Sequence, residues 1–89
     1  MPTVHLIIKG KVQRVFFRAT AKEMADKIGL KGWVKNTMQG DVEITATGSS
    51  QQITEFIEWC NKGPAHAKVS SVLYTAVDES NFDNFTIIS

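Results

Sequence analysis

The chain has little with which to staple itself. Cys60 is its only cysteine, which excludes an internal disulfide. With only two histidines, His5 and His66, there is no ligand cluster for zinc, so no metal is expected. No apolar run comes near the ~18 residues of a membrane-spanning helix, and no signal-peptide pattern opens the sequence. No linker, low-complexity stretch or fixed-period repeat divides it. Such a chain must fold around its own core. At 89 residues, 43% hydrophobic and 21% charged, it can bury somewhat over ~60% of its unfolded surface in one modest core. The expectation is one domain over residues 1–89, free-standing, reduced and cytoplasmic, with no membrane contact.

Absences narrow the chemistry too. Neither G-x-x-x-x-G-K-[ST] nor G-x-G-x-x-G is present, which removes the Walker-type and dinucleotide loops. What the chain does have is lopsided charge. Residues 1–40 carry eight Lys/Arg against two Asp/Glu, whereas residues 41–89 carry two Lys against seven Asp/Glu, for a net charge of +1. Lys9, Lys11, Arg14 and Arg18 fall close together, with Lys31 and Lys35 following. A local excess of this kind is either a solvated face or a site for a small anion or a nucleic-acid backbone.

Periodicity gives the elements. Val4 to Ile8 is a β-branched apolar run and reads as a strand. Phe17, Ala21, Met24, Ala25 and Ile28 recur on one helical face, and Gly29 fits the residue that ends the helix. Gly32 to Asn36 reads as a second strand. The turn at Met38-Gln39-Gly40 leads into strict alternation over Asp41 to Thr47, a half-buried strand hairpinned with its predecessor. Ser49 or Ser50 can cap a second helix with Ile53, Phe56, Ile57 and Cys60 inward, stopped by Gly63-Pro64. Val69 to Val77 and Phe85 to Ile88 close the chain as strands. The order predicts an α+β, ferredoxin-like βαββαβ sandwich: an antiparallel sheet, two helices on one face and a short C-terminal edge strand.

Between the first strand and the first helix lies Gly10-Lys11-Val12-Gln13-Arg14-Val15-Phe16-Phe17-Arg18. Loop amides and the free donors of a helix start can converge on an anion there. Arg18 adds a planar fork matched to phosphate or carboxylate. The segment resembles the acylphosphatase signature G-x-V-Q-G-V-x-F-R, with Arg14 standing where that family has glycine. Gly32-Trp33-Val34-Lys35-Asn36 with Gly40-Asp41-Val42-Glu43, and Gly63-Pro64-Ala65-His66-Ala67-Lys68-Val69, are similar to the family's second and third motifs, in order.

The resemblance implies hydrolysis of acyl phosphates to a carboxylate and inorganic phosphate by direct water attack, without metal, nucleotide or other cofactor. It implies that Gly10, Lys11, Val12, Gln13, Arg14, Val15 and Phe16 cradle the phosphate, that Arg18 binds it, and that Asn36 positions the water. Inorganic phosphate is then both product and competing ligand, and a monomer is expected. No Ser/His/Asp or Cys/His set and no carboxylate pair accompanies the motif, in keeping with chemistry that needs positioning more than covalent work. Phe16 and Phe17 are expected to anchor the loop in the core, Trp33 and Trp59 to pack, and Gln13 to brace. His5 and His66 are not expected to be catalytic, and Cys60 reads as a small buried hydrophobe.

Two rivals stand beside this. One is a non-catalytic anion-binding domain whose cradle Arg14 has spoiled; turnover of benzoyl phosphate separates it from an enzyme. The other is an RNA-recognition module. The aromatic strand motif of that class is missing, and Val69 to Val77 holds one aromatic, Tyr74, so no nucleic-acid partner is expected.

Overall fold

Alternation in the central strands decides the layers. The computed structural model describes residues 1–88. In β1 (Thr3–Lys11), Val4, Leu6 and Ile8 are buried while His5, Ile7 and Lys9 are half-exposed on the opposite face. In β3 (Val42–Thr47), Val42, Ile44 and Ala46 face the same core. Helices α1 (Phe17–Ile28) and α2 (Ser50–Lys62) cover that one face of the sheet. From α1 come Phe17, Ala21 and Ala25, one stripe at helical spacing; Gly29 closes the helix in the left-handed conformation. From α2 come Phe56 and Cys60. Burial pushes the Cys60 thiol well above its ordinary range and leaves it a packing residue.

Ser49 is the residue that caps α2. Its Oγ accepts from the Gln52 amide at 3.1 Å, and Gln52 Oε1 accepts from the Ser49 amide at 2.8 Å. Phe56 then meets Phe85 edge-on with ring centroids 6.1 Å apart, and Trp59 lies against Phe17 at 5.3 Å.

The five-stranded sheet has the order β4-β1-β3-β2-β5, with β2 at Lys31–Asn36, β4 at Lys68–Val77 and β5 at Phe85–Ile88. The ferredoxin-like sandwich is as the sequence predicts, but the sheet is mixed rather than wholly antiparallel. Strand β5 runs parallel to β2, pairing Gly32 with Phe85 and Val34 with Ile87. The geometry forces this direction. Because β4 is antiparallel to β1, it ends where β1 and β2 begin, and the free edge beside β2 can be entered from that end only. Lys22 Nζ pins the arriving strand by donating to the Phe85 carbonyl at 2.9 Å.

Strand β1 also runs further than its apolar stretch, to Lys11, because the ten-residue β4 keeps pairing with it across a register shift at Lys9/Gly10. Gly10 is required there. Its φ is +127°, and a Cβ would lie 2.2 Å from the Lys68 carbonyl oxygen.

Since β1 and β2 are both antiparallel to β3, they are parallel to each other. The carboxyl ends of β1, β2 and β5 therefore meet at one end of the sheet, beside the start of α1, where open α/β arrangements place ligands.

Candidate active site

The loop from β1 to α1 is held by what it buries. Val12, Val15 and Phe17 are within the core, and between them Arg14 and Phe16 turn outward. Gln13 ties the loop to the β2–β3 turn: its Nε2 donates to the carbonyls of Thr37 and Asp41, each at 2.8 Å. That turn is closed by its own bonds, Thr37 N–H to the Asp41 carbonyl at 2.9 Å and Asp41 N–H to Thr37 Oγ1 at 3.0 Å. One amide side chain thus fixes the loop relative to Asn36.

Helix α1 starts without a side-chain cap and has no acidic residue in its first turn. The Thr20 amide already reaches the Phe16 carbonyl at 3.0 Å, so the amides of Phe16 to Ala19 have no intrahelical acceptor. An anion is the natural partner for such an end. Phe16 itself corrects an expectation. It is 77% exposed rather than a core anchor, because as the residue before the helix it takes φ +64° and swings its ring out, while Phe17, 1% exposed, fills the core.

A cavity of about 340 Å³ opens at this point. Its wall is formed by Val12, Arg14 and Phe16 from the loop, Phe17, Arg18 and Ala19 from the helix start, Asn36 at the end of β2, and Ile87 of β5. Of the residues singled out in the sequence, the structure brings together Val12, Arg14, Phe16, Arg18 and Asn36. Gly10 and Lys11 instead end strand β1, Val15 is an anchor and Gln13 a brace. Ile87 was not foreseen. Nothing local in Phe85 to Ile88 signals that this strand pairs with β2.

The residues of the wall include two arginines and an asparagine but no acidic residue and no histidine. Nearby acids are engaged elsewhere: Asp41 with Lys9 at 2.9 Å, and Glu43 with His5 at 2.6 Å and Lys35 at 3.6 Å. Among the described residues, neither Arg14 nor Arg18 has an ion-pair or hydrogen-bond partner on its side chain. The cavity therefore keeps its positive charge for a ligand.

Arg14 has φ +62°, the left-handed region suited to glycine. Holding a side chain there costs roughly 1–2 kcal/mol, against ~0.4–1 kcal/mol of unfolded-state entropy that glycine would add. Arg14→Gly is expected to raise stability by up to ~1 kcal/mol, or ~4–8 °C in Tm per kcal/mol for a domain of this size. Thermal unfolding checks it; a clear fall in Tm would mean that the arginine is the better residue for this loop.

Comparison with known proteins agrees with this geometry. Residues 4–87 match the family profile described as Acylphosphatase. An acylphosphatase of Syntrophus aciditrophicus is 39% identical over 89 residues, covering 99% of this chain and 93% of that one. The crystal structure of the acylphosphatase from Bacillus subtilis covers all of both chains with a TM-score of 0.97 at 34% identity. The solved structure of an acylphosphatase from Coxiella burnetii gives 0.95 at 37%, over 98% of this chain and 92% of the other. Fold and likeness together define a ferredoxin-like α+β hydrolase. The chain belongs to the acylphosphatase family, and it is an enzyme that hydrolyses acyl phosphates.

Proposed function

We propose that hydrolysis takes place in the cavity at the start of α1, with the phosphoryl group of the substrate capping the helix. What carries this reading is the coincidence of open helix amides, an Arg18 unpaired among the described residues, and Asn36 around one space free of carboxylates. The loop amides from Val12 to Phe16 and the Arg18 guanidinium hold the phosphoryl oxygens, and Asn36 orients a water in line with the carboxylate leaving group. Arg18 acts on the charge of the phosphoryl group, which spreads over its oxygens as the bond to the leaving group lengthens.

Water attacks phosphorus, and the P–O bond to the acyl oxygen breaks with its electron pair going to the carboxylate. Both protons of the water end on phosphate: one stays on the transferred oxygen, and one passes to a phosphoryl oxygen of the substrate. The products are a carboxylate and dihydrogen phosphate. No protein base is required, since the leaving carboxylate is weakly basic and the cavity wall offers no general base. The one cysteine is no alternative nucleophile, buried as it is in α2.

We take the monomer as the working unit, since the residues assigned to the reaction, Arg18 and Asn36, line one cavity of a single chain. The free thiol of Cys60 suits a reducing compartment, and we take the cytoplasm as the place of action.

Activity is expected to be unchanged by EDTA, and inorganic phosphate is expected to compete with substrate. Among the described residues no three His, Cys, Asp or Glu side chains converge, so the anion site rests on amides and arginine. Initial rates with benzoyl phosphate, with and without chelator and phosphate, test both. Loss of activity in EDTA that added metal restores would overturn the reading.

A further inference from the structure

One feature of the cavity exceeds what a phosphoryl group needs. Arg18 and the open amides at the helix start already offer donors to a dianion, and Arg14 stands on the same wall. It does so from a left-handed backbone position where glycine would be unstrained, and no carboxylate of the described residues pairs with it. Its five N–H donors are free, in a planar fork that fits carboxylate or phosphate. Between the loop and β5, the exposed side chains of Phe16 and Ile87 give the wall an apolar stretch. The whole space, about 340 Å³, lies within the range of small-molecule sites and holds more than phosphate.

Resting on the reading given above, we propose that Arg14 makes this enzyme selective for acyl phosphates whose acyl group carries a second anionic group. The carbon skeleton lies along Phe16 and Ile87, the acyl phosphate occupies the helix start, and the distal anion meets the Arg14 guanidinium. A carboxylate and a phosphate both match the guanidinium fork in sign of charge and in geometry. The substrates implied are therefore acyl phosphates of dicarboxylic acids or of phosphorylated hydroxy acids. Arg14 is a specificity residue in this scheme and takes no part in the attack on phosphorus.

Rigid substrates test the idea: benzoyl phosphates bearing a methyl, carboxylate or phosphate group at the meta or para position, compared by kcat/KM. Measurements at about 0.5 M salt screen long-range steering to a few ångströms and leave direct contact as the remaining source of preference. The native protein is expected to favour at least one anionic substrate over its methyl counterpart by about five- to tenfold, the size of one partly exposed charge-assisted contact. Arg14→Gln should bring that ratio near one, and Arg14→Lys should keep part of it. The anion whose ratio falls further identifies the source, carboxylate or phosphate. Equal rates for methyl and anionic substrates in the native protein, or a ratio that Arg14→Gln leaves unchanged, would overturn the inference alone. Failure to hydrolyse even the methylbenzoyl phosphates would overturn the reading beneath it as well.

Discussion

Arg18→Ala is expected to lower kcat/KM for an acyl phosphate by about a thousandfold and to weaken inhibition by inorganic phosphate by at least tenfold. Arg18 lines the cavity from the first turn of α1 and its guanidinium has no other partner among the described residues, so its charge is available to the phosphoryl group in ground and transition states alike. Removing one preorganised donor from a developing oxyanion typically costs ~100–1,000-fold, and an arginine acting on a transferring phosphoryl group reaches ~1,000-fold or more. The helix amides remain, so some phosphate binding should persist. Folding should persist too, because Arg18 is half-exposed and outside the core. Parallel measurements of kcat/KM, phosphate inhibition and Tm check all three points. A variant with native kcat/KM would remove Arg18 from the mechanism.

The expected signature of Asn36→Ala is different. Asn36 ends β2 and lines the same cavity as the helix start, and its proposed partner is the attacking water. A group that acts on the nucleophile contributes mainly in the transition state, so kcat should fall by about 100–1,000-fold while phosphate inhibition stays within about twofold. No hydrogen bond from the Asn36 side chain to the described residues is broken, and its backbone pairing with Val42 survives the change. Steady-state kinetics with phosphate as inhibitor separate the two roles. If phosphate affinity collapsed while kcat held, Asn36 would be a phosphate ligand instead.

Much of the architecture was legible because its signals are local. Alternation over Asp41 to Thr47, the helical stripe from Phe17 to Ile28 and the stop at Gly29 each report contacts within a few residues. The misread parts depend on distant partners. Whether β5 would lie parallel or antiparallel follows from where β4 ends relative to β2, which no pattern within Phe85 to Ile88 encodes. Gly10 looks like a loop glycine until the Lys68 carbonyl is seen against it. Of the adjacent rings Phe16 and Phe17, composition cannot choose which is buried; the left-handed turn at the helix start decides it. Arg14 is the converse case. A glycine at this place in the family signature suggests either a positive φ or a close backbone approach to the phosphate, and the loop has the positive φ.

The same end-of-sheet convergence explains why a few separated residues make one site. Arg18 and Asn36 are brought together by the parallel relation of β1 and β2, and Gln13 sets their spacing by gripping the turn beyond Asn36. The sequence distance between them carries no catalytic information of its own.

The central claim is that water attacks phosphorus while the phosphoryl group is held at the start of α1. Hydrolysis of benzoyl phosphate in oxygen-18-labelled water, with both products analysed by mass spectrometry, tests it most directly. The account predicts rapid turnover with the label in inorganic phosphate and none above the uncatalysed background in benzoate. Label in benzoate would place the attack at the carbonyl carbon and contradict it.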